Sequence, residues 1–220
     1  LSVFGVFEES TDNKSHQALL TAYKLQEVTA TLRSNMRQIK ENIEAKKGEL
    51  SPKELKVFRA VLLEIGVGID GGEVFYGTLG SYVRMTNTVI GDDVNAASRL
   101  EGLTRIYKVP VICSAYVKND VETNVTDANI HFIEIDTVLV KGKTTGKKVY
   151  WPILDEDFND EVKENIKEFT LGLDLYYKGE WNEAHKHINK CSLPVADVFK
   201  QRTKEVCPKN WNGIWEMTTK

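Results

Sequence analysis

The pattern of apolar and polar positions divides this chain into three regions. From Ser15 to about Glu44 the positions Leu19, Tyr23, Gln26 and Ala30 recur at helical spacing, with Leu20 and Leu25 widening the stripe and charged residues filling the rest. That pattern predicts one long amphipathic helix. Ser51-Pro52-Lys53-Glu54 then combines a capping-box spacing with proline at the first helical position, which predicts a short second helix to about Val61.

The period changes at Leu63, where Leu63, Ile65, Val67 and Ile69 alternate, Asp70-Gly71-Gly72 marks a turn, and Val74 to Leu79 resumes as a strand. Those signals predict a hairpin across the turn. After Thr88-Val89-Ile90, Gly91-Asp92-Asp93 opens a helix with Val94, Ala97 and Leu100 at spacing three. Val109 to Ser114, Phe132 to Ile135, Val138 to Lys141 and Lys148 to Ile153 read as further strands, and Leu1 to Gly5 reads as a strand already in progress. Strands and helices mixed without strict alternation indicate an α+β domain to about residue 153.

From residue 154 to 220 the pattern turns charged and helical, with Glu161 to Lys178 and Trp181 to Lys190 as two helices broken at Lys178-Gly179-Glu180. Only one such helical pair is visible, so the pattern does not establish a repeat array. Trp181, Trp211 and Trp215, with Leu171, Leu175 and Tyr176, offer more apolar surface than one helical hairpin can bury. This tail is therefore expected to pack on its own domain or on a partner's.

Composition narrows the picture. Lys and Arg number 29 and Asp and Glu 32, a formal net charge of −3, with 41% hydrophobic residues. A disordered chain, a collagen and a nucleic-acid-coating protein are disfavoured. No run approaches the roughly 18 apolar residues of a membrane span, so a cytoplasmic chain is expected, with a sensor or anchor possible upstream. Leu1 in place of an initiator Met suggests a start inside a larger protein. Cys113, Cys191 and Cys207 are odd in number, widely spaced and without metal-ligand spacing, which fits a reducing compartment.

Several motif matches fail on context. Gly66-Val67-Gly68-Ile69-Asp70-Gly71 satisfies G-x-G-x-x-G, but a strand follows where a dinucleotide site needs a helix N-terminus. Gly142-Lys143-Thr144 ends like a P-loop, yet Thr137 stands where the first glycine belongs. His185 and His187 are two apart on a helix and point to different faces. Asn13-Lys14-Ser15 and Asn124-Val125-Thr126 are sequons without consequence in a reducing compartment.

Chemistry concentrates in Arg84 to Glu101. Asn95 and Arg99 are four apart on the helix after Gly91, so an amide and a guanidinium project from one face about 6 Å apart. Such a pair is often an ordinary solvated face. Here small Ala96, Ala97 and Ser98 surround it, and Lys141 and Lys143 form a second cationic loop. Cations converging beside an amide are how a site holds a polyphosphate whose charge is redistributing.

On these residues the chain resembles a known family. IGVGIDGGEVFYGTLGSYVRMTNTVIGDDVNAASRLEGLTRIYKVPVICS (65–114), followed by VLVKGKTTGKKVYWPI (138–153), resembles the later part of the class III adenylate/guanylate cyclase catalytic domain. The likeness covers residues 1–153, and 154–220 resemble the TPR-like tail of bacterial members. The resemblance implies a ferredoxin-like α+β fold lacking its N-terminal strands, a homodimer with catalytic sites in the cleft, and ATP as substrate. It places the transition-state residues at Asn95 and Arg99, a polyphosphate-binding lysine at Lys143, and a base-contacting residue at Thr88. The family's two Mg²⁺ or Mn²⁺ ions are held by aspartates that, on this likeness, lie upstream of Leu1. The implied activity is an adenylate cyclase acting in intracellular signalling, with residues 1–220 alone inactive. A cyclase-like regulatory or dimerisation module and a guanylate cyclase are the alternatives.

Overall fold

A computed structural model describes residues 1–6, 11–62, 64–139 and 145–217. The chain divides into two compact units, Leu20–Ile65 and the rest, Leu1–Leu19 with Gly66–Lys220.

The first helix, α1, runs Lys14–Lys47, and α2 runs Pro52–Val61. The capping box at Ser51 forms as its spacing requires: the Glu54 N–H donates to Ser51 Oγ and the Ser51 N–H donates to the Glu54 carboxylate. Within the Leu20–Ile65 unit, the Gln26 amide donates to the Ile65 carbonyl at 2.7 Å. Arg33 pairs with Glu64 at 3.5 Å.

In the larger unit, the strands β1 (Val67–Ile69), β4 (Val111–Ser114), β5 (Ile130–Leu139), β6 (Lys147–Leu154) and β7 (Trp215–Glu216) form one sheet in the order β1-β4-β6-β5-β7. β1 is parallel to β4, β6 is antiparallel to both its neighbours, and β7 is parallel to β5. The strands β2 (Phe75–Ser81) and β3 (Arg84–Ile90) pair only with each other among the described residues. The helices are α3 (Asp92–Tyr107), α4 (Ala115–Asn124), α5 (Asp160–Tyr177), α6 (Trp181–Ile188) and α7 (Ala196–Arg202).

Four expectations are corrected. The hairpin joins β2 to β3 around Tyr82-Val83, not β1 to β2. β1 leaves for the main sheet because Gly68 lets α3 lie on its backbone; a Cβ there would sit 2.3 Å from the Ala97 carbonyl oxygen. Leu1 to Gly5 form no strand, since an apolar run needs a paired neighbour to become one. The strands expected at Phe132 to Ile135 and Val138 to Lys141 are a single strand through Leu139, with a register shift between Glu134 and Asp136, and Val140 and Lys141 lie outside the described residues. Helices α4 and α7 were not foreseen; each is short, with little periodicity to show.

One apolar core runs through the sheet and the helices after it. Leu100, Leu103 and Tyr107 of α3, Ile133, Ile135 and Val138 of β5, and Phe169, Leu173 and Tyr176 of α5 belong to a single cluster with Trp181, Ile188 and Phe199. The tail's tryptophans are accounted for in that packing: the indoles of Trp181 and Trp211 both donate to the Tyr176 carbonyl, at 3.2 and 2.9 Å. A large side chain buried this way contributes about 1.5–3 kcal/mol. Among the described residues no helix is long and apolar enough to cross a membrane.

Candidate active site

β3 delivers the chain to α3 through Gly91, the N-cap residue, which has no side chain to bond the first turn. Asp92 and Asp93 occupy that turn, where carboxylates complement the positive end of the helix dipole. One turn further in, the Asn95 side chain donates to the Gly91 carbonyl at 3.4 Å, a long bond that a better acceptor can displace. Asn95 and Arg99 are both exposed on the same face of α3. Arg99 has no ion-pair or hydrogen-bond partner among the described residues, unlike Arg105, which pairs with Glu101 at 2.6 Å. The guanidinium singled out by the sequence is thus among those that face solvent without a partner.

Thr88 lies on β3 directly opposite Gly77, beside which a Cβ would meet nothing within 4 Å. Thr88 itself is half-buried. The chain between Thr88 and α3 is only Val89-Ile90-Gly91, so Thr88 and the first turn of α3 flank one strand-to-helix junction, with Asn95 one turn and Arg99 two turns into the helix. Lys141 and Lys143 lie outside the described residues. A cavity of about 300 Å³ lined by Val3, Phe4, Gly5, Val6, Lys14, Gln17 and Tyr76 contains none of the four.

Asp70, just after β1, is a carboxyl that departs from ordinary behaviour. Burial pushes its pKa up, and its Oδ2 is buried without a hydrogen-bond partner among the described residues, while Oδ1 accepts from the Gly71 N–H at 2.9 Å. No cluster of three or more His, Cys, Asp or Glu side chains capable of holding a metal ion is present among the described residues.

The sequence model of the adenylate and guanylate cyclase catalytic domain matches residues 3–154, covering β1 through β6 with α3 and its Asn95–Arg99 face. This chain belongs to that cyclase family. Among curated proteins, the cyclase chain is 30% identical over 138 residues to the terminal-differentiation-specific adenylate cyclase of Dictyostelium discoideum, covering 61% of this chain and 6% of that protein. It is 37% identical over 90 residues to an adenylate cyclase of Anabaena cylindrica, covering 40% of this chain and 17% of that protein. The chain thus spans a small part of the length of these relatives. Among solved structures, the adenylyl cyclase CyaB from P. aeruginosa aligns with TM-score 0.44 and 21% identity over 71% of this chain and 68% of that one. The guanylyl cyclase Cya2 aligns with TM-score 0.45 and 23% identity, covering 71% and 66%.

Residues that periodicity did not reveal sit at the other end of α3. Tyr107, its last residue, donates to Asp136 Oδ2 at 2.5 Å, and Arg202 of α7 donates to the same oxygen at 2.6 Å. The one sequence signal was an aspartate inside the apolar run of β5.

Proposed function

We propose that this cyclase domain is an adenylate cyclase, converting ATP to 3′,5′-cyclic AMP and pyrophosphate at the interface of a homodimer in intracellular signalling. The observation that carries the reading is the exposed Asn95–Arg99 face of α3, with an unpaired guanidinium, in a cyclase domain whose curated relatives include adenylate cyclases. In this reaction the ribose 3′-hydroxyl attacks the α-phosphorus, a new P–O bond forms, the bond to the β-phosphate oxygen breaks, and pyrophosphate departs while the hydroxyl proton is lost. Charge grows on the non-bridging oxygens as the bonds exchange. A guanidinium free of internal partners can meet that charge in the transition state without first breaking an ion pair. We assign that role to Arg99, orientation of the ribose to the Asn95 amide, and contact with the polyphosphate to Lys143.

Thr88 is assigned to the base. Adenine and guanine present opposite donor and acceptor patterns at the six position, and a hydroxyl both donates and accepts, so Thr88 supports ATP while leaving GTP as the outcome to test. The β2–β3 hairpin supports the homodimer: Phe75, Leu79, Tyr82, Val83 and Met85 are all exposed there, an apolar surface of the kind that a second subunit covers. The α5–α6 hairpin is read as TPR-like.

Two Mg²⁺ or Mn²⁺ ions are proposed to serve the reaction, supplying stabilisation of the attacking and leaving oxygens. The described residues do not offer a group of three or more His, Cys, Asp or Glu side chains for them, and no step is drawn through the metal. On the resemblance, which assigns neither metal-binding aspartate to a residue of this sequence, residues 1–220 by themselves are proposed to be inactive.

The test is nucleotide turnover by the full-length protein with ATP and with GTP in the presence of Mg²⁺ or Mn²⁺, alongside residues 1–220 alone. Cyclic AMP formation by the full-length protein, lost in Arg99→Ala, supports the assignment. Preference for GTP replaces adenylate by guanylate cyclase. Absence of turnover with either nucleotide leaves the domain as a regulatory or dimerisation module.

A further inference from the structure

The helix that carries Asn95 and Arg99 is held at its far end by the segment that follows the cyclase domain. Tyr107 closes α3, and its hydroxyl donates to Asp136 Oδ2. Arg202, from α7, donates to that same oxygen with Nη1 and reaches the Tyr107 hydroxyl with Nη2 at 3.4 Å. The ion pair is almost completely sealed, with side-chain exposures of 6% for Arg202 and 0% for Asp136. The guanidinium also stacks on Trp215, 3.8 Å from the ring centroid. Immediately after Tyr107, the C-cap residue Lys108 reaches Asp197 of α7 at 2.9 Å, so two separate bonds tie the end of α3 to α7.

A buried ion pair is seldom kept for stability, because desolvating both charges offsets much of their attraction. What it supplies is direction. An apolar contact tolerates sliding, whereas two donors sharing one carboxylate oxygen and bonded to each other define where the helix end must sit. The middle of α3 lies on the backbone of β1 at Gly68 and cannot easily shift sideways. With that fulcrum and a fixed end, Asn95 and Arg99 are set about 18 and about 12 Å up the helix from Tyr107, at 1.5 Å rise per residue.

We propose that Arg202 is a positioning residue of the cyclase site: through Asp136 and Tyr107 it sets the placement of α3, and so of Asn95 and Arg99. The inference rests on the assignment of those two residues as the reacting pair. It gives the segment after β6 a part in turnover beyond its part in the core. A small misplacement of a transition-state group is costly, on the order of a hundredfold per ångström in unfavourable cases.

The experiment compares wild type, Arg202→Met, Arg202→Lys and Ile188→Ala in the full-length protein, by steady-state kinetics with ATP, thermal melting, and native-state hydrogen exchange of the α3 amides. Ile188 is buried in the same core on α6 and lies outside the Arg202 cluster, so its truncation controls for stability alone. Expected for Arg202→Met is a fall in kcat of about ten- to a hundredfold with KM within about twofold. Exchange should rise in α3 at a temperature where the protein remains folded, and Arg202→Lys should recover part of the loss. Ile188→Ala should melt earlier yet keep kcat. Unchanged kcat and unchanged α3 exchange in Arg202→Met would overturn the proposal. So would an equal loss of kcat in Ile188→Ala. Should Arg202→Met fail to fold, Arg202→Lys against Ile188→Ala decides by the same criteria. A wild type without turnover defeats the adenylate cyclase reading instead, and the α3 exchange difference then decides whether Arg202 holds the helix.

Discussion

Every residue of β2 is exposed, whereas all four residues of β4 are buried. The β2–β3 hairpin is a two-stranded ladder carrying Phe75, Leu79 and Met85 into solvent, and such a ladder is marginal in water by itself. The main sheet, in contrast, shares its core with α3, α5, α6 and α7 and encloses an ion pair. Helix α3 joins the two settings, with an open face at Asn95 and Arg99 and a locked end at Tyr107. The difference teaches a division of labour. On the proposed roles, the groups assigned to the ligand stand on the exposed face of α3, and the contacts proposed to fix them are built at its other end.

The comparison breaks most severely if the core is opened. Phe169→Ala removes a fully buried ring that packs edge-on against Phe199 at 5.4 Å. It should cost about 3–5 kcal/mol in urea unfolding, and a cost below about 1 kcal/mol would mean that α5 is not integral to the sheet's core. At the open face the opposite is expected. Arg99→Ala should lower turnover of the full-length protein by on the order of 10²–10³ while leaving the melting temperature unchanged, because Arg99 holds no internal partner among the described residues. A drop in melting temperature matching the loss of activity would erase the distinction between the two ends of α3.

Gly68→Ala tests the fulcrum between them. The added methyl would lie 2.2 Å from the Glu101 backbone nitrogen, so helix or strand must move. A destabilisation of about 1–3 kcal/mol is expected, accompanied by reduced turnover; a stable, fully active variant would show that α3 can shift without consequence. At the hairpin tip, Tyr82→Ser with Val83→Ser should change unfolding free energy by less than about 0.5 kcal/mol, since both side chains are fully exposed. Self-association should weaken, as read by sedimentation; unaltered association would move the dimer surface elsewhere.

The smallest effect lies in the Leu20–Ile65 unit. Glu54 is held down to about 2 by its bonds to the Ser51 side chain and backbone and to Lys47. A carboxylate whose pKa is lower when folded contributes stability that is present above its ordinary value of 4.5 and lost as pH falls toward 2. Helicity of α2 should therefore weaken slightly across that window, and Glu54→Gln should flatten the dependence. Because Glu54 is solvent-screened, the change is expected to be minor.

Local physics was enough for much of this. Helical periodicity placed α1, α3, α5 and α6 to within a few residues, and the Ser51-to-Glu54 spacing was sufficient for the capping box, because both ends of those interactions lie within one or two turns. The same short range put Asn95 and Arg99 on one face. Pairing partners were another matter. Alternation marks a strand but not its neighbour, so the strand at Val67 was matched with the wrong one, and the close approach of α3 to Gly68 that sends β1 to β4 is invisible in the local pattern. The cluster of Tyr107, Asp136 and Arg202 joins residues up to 95 positions apart. Its three polar groups acquire their meaning only when folding removes water from around them. Sequence alone determined which helix carries the candidate chemistry; the tertiary structure decided what holds that helix in place, because a buried charge selects its partners by proximity in space.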